Sequence, residues 1–183
     1  LARTLDPTAI EDYFAYGYVP DPKCVLSSVR KLQAGHTLTL REGRPVPAPV
    51  RYWDGDFTTR HNGQHADLAA ELTDRMREAV KLRMIADVPL GAFLSGGVDS
   101  SAVVGLMAEM SDTPVNTCTI GFDAAGFDET DYAAEVARRY ATNHRSRIVS
   151  ANDFELVERL AHAFDEPFAD ASALPTYRVC ELA

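Results

Sequence analysis

"VPLGAFLSGGVDSSAVVGLMAEM", residues 88–110, is the stretch on which the fold turns. Residues 90–94 are short, apolar and bounded by glycine, as a buried strand requires. Residues 98–110 return to helical spacing. Between them Ser95, Gly96 and Gly97 form a turn. A strand, a glycine-rich loop and a helix in that order place the loop at the carboxyl end of a strand, where ligands bind in doubly wound sheets. Gly96 and Gly97 are free to take positive φ and let a ligand approach the backbone. The helix starting near Val98 turns its free N–H groups and its positive dipole end to the same point. Ser95, Ser100 and Ser101 add hydroxyls. Such a loop can hold a phosphate without a lysine. Asp99 is the odd member, because a carboxylate repels phosphate. It makes sense as a helix cap or as a ligand to Mg²⁺ that bridges to the phosphates.

Other readings of the loop fail on spacing. It is not the G-x-x-x-x-G-K-S/T phosphate loop and not G-x-G-x-x-G. Ser95 does not sit in G-x-S-x-G, which removes the hydrolase elbow.

The surrounding sequence extends the alternation. Residues 66–85 carry Leu68, Leu72, Met76, Ala79 and Leu82 near one helical face. "PVNTCTIGF" reads as a strand. "DETDYAAEVARRYA" reads as a helix with Tyr132, Val136 and Tyr140 four apart, and "HRSRIVS" as a further strand. His144, Arg145 and Arg147 on that strand are expected at the surface. Asn152 with Glu155 signals another helix start, with Phe154, Val157, Ala161 and Phe164 on one face. "ASALPTYRVCELA" is helical to the end. The fold class is therefore α/β, a parallel sheet flanked by helices. The first 57 residues differ: a short helix ends at Gly17, Pro20 and Pro22, and "HTLTL" and the proline-rich "VPAPVRYW" form a small β-containing segment. Residues 58–65 read as a linker.

The totals narrow the function. A formal charge of −9, from 18 basic and 27 acidic residues, argues against nucleic acid as a partner. No apolar run approaches a membrane span and no secretory leader opens the chain, so a cytoplasmic protein is expected. Cys24, Cys118 and Cys180 are far apart and lack metal spacing, which suits free thiols in a reducing compartment. The chain opens on Leu1 and stops inside a helical pattern at Ala183, so a piece of a longer protein is expected.

"LSGGVDSS" resembles the pyrophosphate loop of the ATP pyrophosphatases that cleave between the α and β phosphates. Its flanks, "RMIADVPLGAFLSGGVDSS", "TCTIGFDAAGFDETDYAAEVARRYATNHRSRIV" and "DEPFADASALPTYRVCELA", are similar to the glutamine-dependent asparagine synthetase family. The upstream "GYVPDP", "VRKLQAGHTLTL" and "RYW" resemble the segment joining that family's glutaminase and synthetase domains. The resemblance implies an adenine nucleotide alpha hydrolase-like fold. Residues 1–57 would close the glutaminase domain and 66–183 would open the synthetase domain.

It also implies a reaction. A carboxylate, such as that of aspartate, attacks the α-phosphate of ATP, and ammonia from glutamine displaces AMP from the acyl-adenylate; the alternatives are a related amidotransferase or β-lactam synthetase acting on another acid, and a non-catalytic nucleotide-binding module. Ser95, Gly96, Gly97, Ser100 and Ser101 would hold the β and γ phosphates. Asp99 would be the catalytic carboxylate and hold Mg²⁺. Phe93, Leu94, Ile120 and Gly121 would line the adenine side, and Asp165, Glu166 and Asp170 would lie toward the acceptor acid. A homodimer is compatible with the family. The chain departs from the pattern by lacking the N-terminal glutaminase cysteine and the later SG-x-G-x-DE motif. Alone, it is expected to bind nucleotide weakly and not to turn over.

Overall fold

The computed structural model describes residues 2–123, 128–149 and 156–183. The elements run α1 (Pro7–Tyr16), β1 (His36–Thr37), β2 (Val50–Arg51), α2 (His65–Arg83), β3 (Gly91–Phe93), α3 (Val98–Met110), β4 (Asn116–Phe122), α4 (Thr130–Arg139), β5 (Asn143–Val149), α5 (Leu156–Ala163) and α6 (Ala173–Leu182). They fall into two units. One comprises Leu1–His61 with Glu158–Ala171, the other Asn62–Val157 with Ser172–Ala183. The helix start expected at Asn152 and Glu155, with Phe154, lies outside the described residues.

In the first unit, α1 begins where the Asp6 side chain accepts the Thr8 N–H at 2.9 Å, and it stops at Gly17 as its sequence predicts. β1 and β2 pair antiparallel, with His36 opposite Arg51. The strand expected over 36–40 shrinks to two residues. Pro45, Pro47 and Pro49 on the partner side have no N–H to continue the ladder. Residues 158–171 join this unit through Glu166. Its carboxylate accepts from Lys31 Nζ at 2.6 Å and from the Val25 N–H at 2.9 Å. The Ala169 N–H donates to the Gly17 carbonyl at 3.0 Å.

In the second unit, β3, β4 and β5 form a parallel sheet in sequence order, with Phe93 opposite Cys118 and Ile120 opposite Arg147. Side chains fix the register at its amino end. Asn143 Nδ2 donates to Asn116 Oδ1 at 2.7 Å, and Asn116 Nδ2 to the Leu90 carbonyl at 3.2 Å. One residue on, Thr117 Oγ1 meets both His144 Nδ1 and Thr142 Oγ1 at 2.9 Å. His144 is thus half-buried rather than on the surface, and its Nε2 is buried with no partner among the described residues. Burial holds its pKa below the ordinary 6.5. Arg145 and Arg147 are exposed, as expected.

Two apolar clusters hold the helices. Val80, Leu106, Met107 and Val115 pack α2 on α3, joined by Met76 and Met84. Leu94, Val104, Ala133 and Ala137 pack α3 and α4 around the end of β3. The inward stripe of α2 is therefore Met76, Val80 and Met84. Leu72 and Leu82, assigned to the core face from spacing, are 60% and 64% exposed. On α4 the small residues Ala133 and Ala137 face inward, and Tyr132 points out. α6 lies against β4 and β5.

Met107→Ala should cost about 2–4 kcal/mol in urea unfolding, because it removes a buried side chain that joins α2 to α3. A second expectation concerns acid. Burial pushes the Glu166 carboxyl up, but the bonds from Lys31, Val25 and Cys24 outweigh it and hold its pKa below the ordinary 4.5. A depressed carboxyl stabilises the fold above its unfolded pKa and loses that contribution as pH falls through the folded value. The stability gap between wild type and Glu166→Gln should then be widest near pH 7 and narrow steadily below about pH 4.5. A gap that does not change with pH would refute it.

Candidate nucleotide site

The chain leaves the sheet at Leu94, whose N–H donates to the Cys118 carbonyl at 2.9 Å. Gly96 then takes φ 79°. A Cβ there would fall 2.5 Å from Tyr132 Cβ and 2.7 Å from the Ala133 nitrogen. Glycine is needed at 96 on two counts, left-handed backbone and close approach to the first turn of α4. Gly97 is different: its φ is −68°, and an added Cβ would meet only Ser95 Oγ, at 3.3 Å. The space beside Gly97 is open to a ligand.

The turn holds itself with hydroxyls. Ser95 Oγ and Ser100 Oγ share a hydrogen bond of 3.0 Å. The Ser95 N–H donates to Ser100 Oγ, and the Gly97 N–H to Ser95 Oγ, both at 3.3 Å. Gly97 is the N-cap of α3 and no side chain caps the helix. The first helical bond, from the Ser101 N–H to the Gly97 carbonyl, spans 3.0 Å. The N–H groups of Val98, Asp99 and Ser100 therefore lack protein acceptors among the described residues. This is an anion site in the making. Ser101 Oγ is buried and has no partner among the described residues. Of the two roles open to Asp99, capping is not taken up: its side chain is exposed and makes no hydrogen bond or ion pair among the described residues. A free carboxylate beside uncapped N–H groups could hold a divalent cation next to a bound anion.

A cleft of about 360 Å³ opens beside the turn. Phe93, Leu94, Ser95, Ser100 and Ile120, all expected from sequence, line it together. Gly96, Gly97, Asp99 and Ser101 belong to the same turn but not to the cleft wall. Gly121 is also outside the wall. A Cβ at 121 would fall 2.5 Å from Asp128 Oδ1 and 2.6 Å from Thr130 Cγ2, so this glycine lets α4 begin against β4. The wall has members that sequence reasoning missed: Cys118, Thr119 and Phe122 from β4, Glu129 before α4, and Pro175, Thr176 and Val179 from α6. The strand residues could have been found by following the β4 stretch past the end of β3. The α6 residues depend on topology and carried no local signal.

β4 outruns β3. Pairing between them stops at Phe93 and Cys118, whereas pairing of β4 with β5 continues to Phe122. Beyond Cys118, β4 has an open main-chain edge on the β3 side among the described residues, at the cleft. A cleft of about 370 Å³ between α2, α3 and β3 has similar size, but Met76, Val80, Met84, Leu90 and Met107 give it an apolar wall unsuited to phosphate.

Asp165, Glu166 and Asp170 all lie in the first unit. Glu166 is engaged by Lys31 and Val25 there.

The two glycines predict opposite outcomes. Gly96→Ala should lower stability by at least about 2 kcal/mol, from the left-handed conformation and the collision with α4. Gly97→Ala should stay within about 1 kcal/mol of wild type. Thermal unfolding of the two variants checks this, and equal losses would refute it.

The asparagine synthase family profile matches residues 71–183, which include the loop, the cleft and the whole sheet. The chain is 37% identical to "Putative asparagine synthetase (glutamine-hydrolyzing) 2" of Methanocaldococcus jannaschii, over 99% of this chain and 35% of that protein. It is 32% identical to asparagine synthetase (glutamine-hydrolyzing) 1 of Bacillus subtilis, over 97% of this chain and 28% of that protein. A fungal amidase, chyE of Penicillium rubens, is 29% identical over 59% of the chain and 18% of the amidase. The chain thus spans about a third of the length of these two curated relatives. With more than half its length in the family profile and the loop, cleft and parallel sheet in place, the chain belongs to the asparagine synthase family.

Proposed function

We propose that this chain supplies the ATP-binding part of a ligase that amidates a carboxylic acid, with aspartate to asparagine as the leading reaction. Residues 1–57 close a glutaminase domain, 58–65 link, and 66–183 open the synthetase domain. The observation that carries the reading is the uncapped start of α3 beside a free Asp99, in a turn that opens on a cleft with an exposed strand edge.

The parts have distinct tasks. The N–H groups of Val98–Ser100 and the hydroxyls of Ser95, Ser100 and Ser101 hold the β and γ phosphates. The main chain at Ile120 meets the adenine edge, and Phe93 and Leu94 flank it. The acid's carboxylate oxygen attacks the α-phosphorus. The α–β bridging bond breaks, leaving an acyl-adenylate and pyrophosphate. Ammonia, drawn from glutamine elsewhere in the protein, then attacks the acyl carbon, and AMP leaves with the C–O bond pair. Holding the β and γ phosphates together suits pyrophosphate departing as one unit. Asp99 would hold Mg²⁺, which supplies neutralisation of charge on that leaving group. Asp165, Glu166 and Asp170 are assigned to the acceptor end on the family resemblance alone. The acidic charge suits a small-molecule enzyme without a nucleic-acid partner, and among the described residues no helix is long and apolar enough to cross a membrane. We place the enzyme in the cytoplasm.

A second reading is the same chemistry on a different acid, and a relative named an amidase beside the asparagine synthetases supports keeping it.

Phosphorus NMR of the full-length protein with Mg-ATP, ammonium and aspartate should show AMP and pyrophosphate only when the acid is present. Formation with another acid alone would keep the chemistry and replace the substrate. ADP and phosphate would overturn the proposal. Asp99→Asn should slow AMP formation by roughly 10²-fold or more. Stability should change by no more than about 1 kcal/mol, since this exposed side chain has no partner to lose.

A further inference from the structure

One buried hydroxyl beside the loop has no task in the reaction above. Thr119, on β4, is 3% exposed, and its Oγ1 donates to the Leu94 carbonyl. That carbonyl and the Ser95 N–H belong to one peptide group. Its nitrogen donates to Ser100 Oγ at 3.3 Å. The peptide that opens the loop is therefore held at both ends, by Thr119 at oxygen and by Ser100 at nitrogen. Its position along the sheet is set by Leu94 itself, 1% exposed in the cluster with Val104, Ala133 and Ala137. Valine has the same shape and is as much at home in a strand, so packing alone gives no reason for a hydroxyl at 119. A hydroxyl is needed if the orientation of the Leu94–Ser95 peptide matters.

We infer that Thr119 is a positioning residue for the phosphate loop, acting through the Leu94–Ser95 peptide. The inference rests on the proposal that this loop holds the β and γ phosphates of ATP. Without the hydroxyl, the Leu94 carbonyl is left buried and unpaired, and the peptide is free to rotate. Ser95 and Ser100 then lose their shared alignment. Thr119 borders the cleft, but it is 3% exposed and its hydroxyl is turned to Leu94, so the adenosine part, which meets β4 at Ile120, keeps its contacts.

The test compares Mg-ATP with AMP, two probes that differ in the β and γ phosphates. Calorimetric titration of the full-length protein is expected to show Thr119→Val weakening Mg-ATP roughly 5- to 100-fold while AMP affinity changes less than about 2-fold. Thr119→Ser, which keeps the donor, is expected to restore Mg-ATP to within about 3-fold of wild type. Equal weakening of both probes would show a general structural role and overturn the inference. So would a valine variant that binds Mg-ATP like wild type. Should the valine variant not fold, Thr119→Ala removes the hydroxyl without setting a methyl against the carbonyl, and the same two outcomes decide. Wild type that binds neither probe overturns the ATP proposal and this inference together. Wild type that binds both, with no selective loss in the variants, overturns this inference alone.

Discussion

The close approach of Gly96 to the first turn of α4 is the constraint on which the site depends. With any side chain at 96, the loop could not return so sharply, and α3 would start elsewhere. Because it does return, α3 begins immediately beyond the end of β3, with its N–H groups uncapped and turned outward. Leu94 anchors the near side of the turn in the apolar cluster, and Gly121 gives α4 the room to lean in from the far side. Two glycines from separate strand ends thus meet one helix. The hydroxyls of Ser95 and Ser100 then organise a turn whose path is already set by packing.

The fold was legible where the sequence signal was local. The strand–loop–helix at 90–110 and the following alternation depend on spacing, glycine and apolar runs, and the parallel sheet of three strands follows them. Reading individual faces worked less well. The leucines of α2 drew attention by size, yet Met76, Val80 and Met84 carry the contact with α3. On α4 the tyrosines drew attention, yet alanines sit against the loop because the helix must come close. In the site, the turn could be read from sequence because every donor lies within seven residues. Glu129 and the α6 wall could not, since only the crossover connections bring them to the loop. His144 is the mirror case. A histidine among arginines looks like surface, but the register with Thr117 draws it inward.

The first unit shows the same logic in a polar form. Lys31 donates to the Val19 carbonyl and to Glu166, with Asp21 at 3.8 Å, so one ammonium gathers three stretches of chain. Lys23 and Asp12 add an ion pair at 2.5 Å between α1 and the turn after it. Few apolar residues of this unit are fully buried, Ala9 and Val19 among them, and hydrogen bonds to carboxylates and carbonyls define the path.

The overrun of β4 past β3 has a consequence for solubility. A strand edge with unpaired N–H and C=O groups is a template on which another chain can add a strand. Here the open groups begin at Ile120, within the short uncharged stretch "TIGF". The helices α3 and α4 and the glycines around them keep the neighbouring backbone tight, so the edge is short and recessed in the cleft. A flat base seated there would occlude it. A ligand in this cleft would therefore shield the edge from pairing with another copy of the chain, whatever reaction it undergoes.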